Sequence, residues 1–272
     1  MNVLRATTHA VELHEESVTK TYRNCKRDEP DREWRALRLL SDFAPGLAPA
    51  PLTADLGGAT PSIVMSRLPG HPLRGSVLTA DQLHALAEAI TTLHSAVPHD
   101  ELARLQPAAW DAPGALARLR AMTAGGPGAE DRDVQRALAA GRRWLDGFAL
   151  PTPPRHDLVL GTADGNLANY LWDQDTGTVH VVDFEDSGTA DPAFELAELL
   201  EHPSAWVDID SGTEALPGLL HLRPEQQARL TQFRRLLALI WLLMLLPGQD
   251  AAHRNPPGTH LRQAVRVLDR LA

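Results

Sequence analysis

Three residues in this chain combine the types and the spacing that phosphate chemistry requires. Asp164 and Asn169 lie five apart in Thr162-Ala163-Asp164-Gly165-Asn166-Leu167-Ala168-Asn169, and Asp183 opens Asp183-Phe184-Glu185 after the hydrophobic run His180-Val181-Val182. Phosphoryl transfer asks for one carboxylate that orients or deprotonates the attacking hydroxyl, and for hard oxygen ligands that hold Mg²⁺ on the nucleotide phosphates. Asp164 suits the first role. Asn169 and Asp183 suit the second.

The residues between them say how they come together. Tyr170-Leu171-Trp172, the turn Asp173-Gln174-Asp175-Thr176-Gly177 and Thr178-Val179-His180-Val181-Val182 read as a β-hairpin. A hairpin returns the chain on itself, so Asn169 before its first strand and Asp183 after its second fall side by side, within reach of one cation. Either segment alone is a weak signal, because Asp-x-x-x-x-Asn is a common spacing and most Asp-rich turns bind nothing. Their order, with a hairpin between, carries the functional reading.

Together these segments resemble the phosphotransfer core of the aminoglycoside phosphotransferase family, which has a protein-kinase-like fold. The family pattern is H-x-D-x-x-x-x-N, a D-F-G-like or D-F-E-like triplet, then a D-P-x-x-D-L-A helix start. Here the last reads Asp191-Pro192-Ala193-Phe194-Glu195-Leu196-Ala197, with Glu195 for the second Asp, and Thr162 stands where the family usually has His. That His braces the catalytic loop without touching phosphate, so the resemblance implies a less well braced loop with base and metal ligands intact. It also implies an α+β, bilobal architecture: a small β-rich N-lobe over residues 1–70 that binds nucleotide, and a larger, mainly helical C-lobe over 71–272 that holds the catalytic and acceptor sites.

The N-terminal third adds to this. Val18-Thr19-Lys20-Thr21-Tyr22 alternates as a strand with Val18, Lys20 and Tyr22 on one face, and resembles the family strand that carries the phosphate-binding lysine. The chain has two lysines, Lys20 and Lys26, against 24 arginines; a compact ammonium suits the crowded space beside two phosphates better than a broad guanidinium. The run from Asp31 to Leu40 is an amphipathic helix in which Glu33 shares a face with Leu37 and Leu40. A carboxylate on an apolar face needs a partner; in the family an ion pair of this kind positions the lysine, which makes Lys20 that partner. Residues 61–70 form a strand running into a Pro-Gly turn, and the resemblance makes this the hinge whose backbone from Ser66 to Leu68 meets the purine edge. Residues 1–45 contain no glycine, so the family's glycine-rich loop is missing and Thr7 and Thr8 stand in the place over the phosphates.

Whole-chain properties set the frame. A chain of 272 residues, 43% hydrophobic and 22% charged, is an ordinary globular protein with a sizeable core. A single cysteine, Cys25, excludes an internal disulfide framework, and Met1 to Arg5 do not open a signal peptide, so a cytoplasmic location is expected. The longest apolar run, Leu236 to Leu246, falls short of the roughly 20 residues that cross a bilayer and reads as a core helix. Histidine spacing gives no zinc site. A second core helix starts at Thr79 with a capping box and places Leu83, Leu86, Ala87, Ile90 and Leu93 on one face.

Charge points to the acceptor. Residues 156–222 contain no Lys or Arg and fourteen Asp and Glu, within a chain of net charge −9. A cleft of one sign concentrates counter-charged ligands, which favours an amine-bearing acceptor and disfavours nucleic acid. Glu185, Asp186, Glu198 and Glu201 are its candidate contacts. The expectation is an ATP- or GTP-dependent, Mg²⁺-requiring O-phosphotransferase acting on a hydroxyl of an amine-bearing small molecule such as an antibiotic. It would act as a monomer or homodimer, without membrane or nucleic-acid partners. The rivals are a metabolic kinase for choline, an amino-alcohol or an amino sugar, and a catalytically weak nucleotide-binding protein that works through a partner, as Thr162 and the missing glycines suggest.

Overall fold

β-Branched alternation near the N-terminus produces an antiparallel sheet, here seen in a computed structural model that describes residues 2–4, 9–23, 25, 28–126, 128 and 130–272. Its strands are β1 (Asn2–Leu4), β2 (Ala10–Leu13), β3 (Ser17–Thr21), β4 (Pro51–Asp55) and β5 (Ser62–Ser66), in the order β1-β2-β3-β5-β4. Lys20 sits mid-sheet on β3, opposite Val11 on one side and Ile63 on the other. Thr7 and Thr8 lie outside the described residues. Helix α1 (Glu29–Phe43) begins two residues before and ends three after the span its periodicity predicts. Pro30 and the acidic Glu29 and Asp31 favour that early start, since proline fits the first turn and negative charge suits the helix N-terminus. Its buried face holds Glu33, Ala36, Leu37 and Leu40.

Two small sheets of the larger lobe present the two candidate segments. Strand β6 (His71–Pro72) pairs with β8 (Tyr170–Asp173), which forms the expected hairpin with β9 (Thr178–Val181), Tyr170 facing Val181 and Asp173 facing Thr178. Strand β7 (Val159–Gly161) pairs with β10 (Gly188–Ala190). The segment 162–169 therefore leaves β7 and enters β8, while 182–187 leaves β9 and enters β10.

The rest is helical: α2 (Ala80–Ala96), α3 (His99–Leu102), α4 (Ala112–Ala124), α5 (Arg132–Asp146), α6 (Pro192–Glu201), α7 (Leu216–Leu219), α8 (Pro224–Met244), α9 (Asp250–His253) and α10 (Thr259–Leu271). The capping box is present, with Gln82 N–H on Thr79 Oγ1 at 3.2 Å and Thr79 N–H on Gln82 Oε1 at 2.9 Å. The Leu236–Leu246 run forms the C-terminal half of α8 and the turn after it, and most of it is buried. Phe194 of α6 meets Phe233 of α8 edge to face at 5.4 Å, so the helix that follows the catalytic segments is anchored on the core helix. No helix among the described residues is long and apolar enough to cross a membrane.

Candidate active site

Lys20 is the centre of one charged cluster. Its Nζ lies 2.6 Å from Glu33 Oε2, 2.5 Å from Asp183 Oδ1 and 2.7 Å from Glu185 Oε2. The Tyr22 hydroxyl also donates to Glu33 Oε2, and Phe184 N–H approaches Glu33 Oε1 at 3.4 Å. Glu33 is 1% exposed, so α1 carries a carboxylate into the core and the sheet brings the cation to it. Burial opposes the charge on Lys20, yet Glu33 and then Asp183 hold its pKa well above the ordinary lysine value. Glu185 is pushed up to about 7 by burial and by Asp183, against the pull of Lys20, and His9 Nε2 lies 3.2 Å from its Oε2.

Across the hairpin, Asn169 Nδ2 donates to Asp164 Oδ2 at 2.9 Å, and Asn166 N–H donates to Asp164 Oδ1 at 3.0 Å. These bonds orient the Asp164 carboxylate, and the first leaves the amide oxygen of Asn169 for another partner. Val182 N–H donates to Asn169 C=O at 2.9 Å, which fastens the two catalytic segments where the hairpin closes. Burial, and then the neighbouring Asp183, raise Asp164 to about 6. The donor set around Asp183 suits a hard cation: Glu33, Asp183 and Glu185 each offer an oxygen within 4.8 Å of the others, and the carboxylate of Asp183 with the amide oxygen of Asn169 is chemistry that Mg²⁺ accepts.

The two departures from the family pattern answer each other. Glu195 Oε2 accepts from Thr162 N–H at 2.7 Å, Ala163 N–H at 3.2 Å and the Thr162 hydroxyl at 3.3 Å. The loop expected to be loosely braced is thus gripped by three bonds to a single carboxylate, whose extra methylene supplies the reach. The grip holds Ala163 at φ 59°, a left-handed conformation that costs an L-residue about 1–2 kcal/mol. Close approach also explains Gly165, where a Cβ would lie 2.4 Å from the Glu198 carbonyl carbon of α6.

The acidic candidates do not all gather here. Glu198, on α6 and buried, takes a bond from Trp110 Nε1 at 3.3 Å, and burial and Asp164 raise it to about 8. Asp186 lies in the segment after the Asp183 motif, where its carbonyl accepts from Ala109 N–H at 2.8 Å. Glu201 is a correction. It is 0% exposed and lies against Arg234 at 2.7 Å, Arg266 at 3.0 Å and Arg270 at 2.8 Å, so it serves the core and not an acceptor. The hinge is also more constrained than its sequence suggests: Ser66 N–H is taken by Ala50 C=O at 2.8 Å and Arg67 N–H by Glu16 C=O at 2.9 Å. Sequence reasoning missed Trp110 and His202, whose Nε2 lies 3.9 Å from Asp164 Oδ1. Neither sits in a pattern that marks it.

Residues 6–229 match the sequence profile of the phosphotransferase enzyme family. This chain belongs to that family. The phosphotransferase has no significant match among curated protein sequences, but its fold is shared by solved structures over nearly its full length. One is the complex of the aminoglycoside enzyme APH(2″)-IIia with GDP and kanamycin, at 14% identity and TM-score 0.67, covering 99% of this chain and 92% of that one. A choline/ethanolamine kinase family protein from Mesorhizobium loti matches at 20% identity and TM-score 0.63, covering 99% and 86%. The spectinomycin phosphotransferase APH(9)-Ia with ADP and spectinomycin matches at 12% and 0.63, covering 98% and 88%.

Proposed function

We propose that this phosphotransferase moves the γ-phosphate of ATP or GTP to a hydroxyl of an amine-bearing small molecule. The observation that carries the reading is the junction of two clusters: Lys20 held among Glu33, Asp183 and Glu185, and Asp164 oriented by Asn169 on the other side of the hairpin closure. Lys20, fixed by Glu33, is the phosphate contact, and nucleotide phosphate takes the place that Asp183 and Glu185 hold beside it here. Asp183 and Asn169 would hold Mg²⁺, which when bound neutralises charge on the phosphates. The N-lobe, residues 1–70, carries the nucleotide, and with Ser66 and Arg67 N–H engaged in strand pairing, a purine edge would meet other backbone groups of the Ser66 to Leu68 hinge.

In the transfer step the acceptor O–H gives its proton to Asp164. The hydroxyl oxygen bonds to the γ-phosphorus, the bond to the β–γ bridging oxygen breaks, and nucleoside diphosphate leaves. An Asp164 pKa of about 6 leaves the group ionised at neutral pH and basic enough to share that proton. The Glu195 grip on Thr162 and Ala163 speaks against the first of the two grounds for a catalytically weak chain, the loss of a brace at Thr162.

On the acceptor side, Glu198 lies next to Asp164 with a carboxyl that burial holds neutral, and an arriving ammonium would ionise it and pair with it. Glu185 and Asp186 are the further acidic candidates for that amine. Kanamycin and spectinomycin accompany two of the similar structures and the third belongs to a choline/ethanolamine kinase family. Among the three, that last match has the highest identity and supports a metabolic amino-alcohol kinase as the second reading. Purified protein with Mg·ATP or Mg·GTP and a panel of amino-alcohols, choline, amino sugars and antibiotics tests both readings. Phosphate appearing on an amine-bearing alcohol is the expected result. Transfer to neutral or anionic acceptors alone would overturn the acceptor class.

A further inference from the structure

His202 follows α6 and caps the turn Pro203–Ala205. Its Nδ1 accepts from Ser204 N–H at 3.1 Å and lies 2.7 Å from Ser204 Oγ. A backbone N–H only donates, so Nδ1 carries no proton and the neutral ring keeps its proton on Nε2. Ser204 Oγ is itself an acceptor for Leu167 N–H at 2.9 Å, within the catalytic loop. Its own hydroxyl proton is thereby aimed at His202 Nδ1. The ring is also fixed from α8, where Trp241 packs against it edge to face at 4.9 Å. The fixed Nε2–H is the atom that lies 3.9 Å from Asp164 Oδ1.

We propose that His202 is a positioning residue for Asp164, presenting Nε2–H to its Oδ1 so that the carboxylate keeps its accepting direction on the incoming hydroxyl. The inference rests on the reading of Asp164 as the base. At 3.9 Å the bond is not made; such contacts tighten when the reacting complex forms, or are bridged by a water. Burial, with Arg74 and Arg254 as the charged groups that act on the ring, holds His202 down at about 3, so it stays a neutral donor. A cation here would compete with the acceptor's amine for the same carboxylates.

The bland alternative is that His202 only caps the turn. Capping uses Nδ1, while positioning uses Nε2, and His202→Asn separates them. Asparagine is a good cap whose side-chain oxygen receives Ser204 N–H, but it is too short to reach Asp164. The probe is hydrolysis of Mg·ATP or Mg·GTP with water as acceptor, which needs no knowledge of the natural acceptor. Positioning predicts a thermal midpoint near that of the parent protein, an unchanged nucleotide KM and a kcat lowered about ten- to hundredfold, the range for a hydrogen bond to a charged group. It also predicts no further loss when His202→Asn is combined with Asp164→Asn. Parental kcat in His202→Asn, or losses that multiply in the double variant, would overturn it. Should Asp164→Asn alone leave hydrolysis unchanged, the base assignment fails first and the inference with it. Side-chain nitrogen NMR of the intact protein checks the tautomer without turnover: protonation at Nε2 is expected, and a proton on Nδ1 refutes the mechanism even where the variant does not fold.

Discussion

Arginines reach acids at both ends of the acidic segment and leave those around the 162–169 loop without one. Glu201 lies under Arg234, Arg266 and Arg270, Glu214 takes Arg234 and Arg270 at 2.6 Å each, and Asp157 and Asp191 share Arg229. Around the catalytic loop no arginine or lysine among the described residues pairs with Asp164, Glu195 or Glu198. The electrostatic result diverges accordingly. Burial alone would raise Glu214, but Arg234 and Arg270 bring it down to about 2, while burial raises Asp164 to about 6, Glu195 to about 7 and Glu198 to about 8. Negative charge that the chain neutralises itself is architecture. On the proposed reading, the acids left without an arginine are the ones that an arriving cation would ionise and pair with.

The sharpest test of that division is Asp183→Ala. On the proposed reading it abolishes Mg²⁺-dependent nucleotide binding, since it removes the carboxylate that would hold the metal with Asn169, and calorimetry with Mg·ATP measures it; unchanged affinity and metal dependence would make Asp183 structural. Asp164→Asn comes next, with kcat lower by about 10²- to 10⁴-fold and nucleotide affinity nearly unchanged. On the neutralised side, Glu201→Ala leaves three guanidinium groups without their shared partner. Breaking such a buried pair costs about 3–5 kcal/mol, seen as a lower denaturation midpoint, with turnover per folded molecule close to that of the parent. A large loss of acceptor affinity with normal stability would instead return Glu201 to the substrate site.

The smallest effect concerns pH. Glu195 and Glu198 have folded values above their ordinary one, so the folded chain retains protons that the unfolded chain releases. Their contribution is present below the ordinary carboxylate value, about 4.3, and is lost as pH rises through about 7 and 8. Glu214 runs the other way, contributing above the ordinary value and failing as pH falls toward 2. Without nucleotide and metal, the melting temperature is therefore expected to decline from mildly acidic to mildly alkaline pH. Glu198→Gln should flatten that decline, at about 2–4 °C per kcal/mol relieved. A slope that ignores the substitution would show that Glu198 is ionised and paired in the resting protein.

What the sequence revealed was local. Asp164, Asn169 and Asp183 were legible because a hairpin is a short-range structure whose turn residues name it, and Glu33 was legible because an acid on an apolar helix face demands a cation. Glu198 and Glu201 were not separable, being three apart on one helix. What tells them apart comes from elsewhere: Trp110, 88 residues before Glu198, and arginines 33 to 69 residues after Glu201. Thr162 misled for a similar reason. Its lost brace is replaced by Glu195, 33 residues on, and no single-position pattern reports a pair of changes that compensate. That the Ser66 and Arg67 N–H groups are taken was not legible, because strand pairing with Ala50 and Glu16 is a tertiary fact.

The arrangement around Glu201 has a consequence in time. Arg266 and Arg270 follow it by 65 and 69 residues, and a ribosome adding about 5–20 residues per second needs several seconds to cover that distance. During that interval the nascent chain already holds α6 and its catalytic neighbours but lacks two of the three guanidinium groups that let the helix sink into the core. Translation itself thus sets a delay between making the reaction centre and locking it, and a ribosome stalled before α10 would display an unfinished lobe to chaperones and proteases.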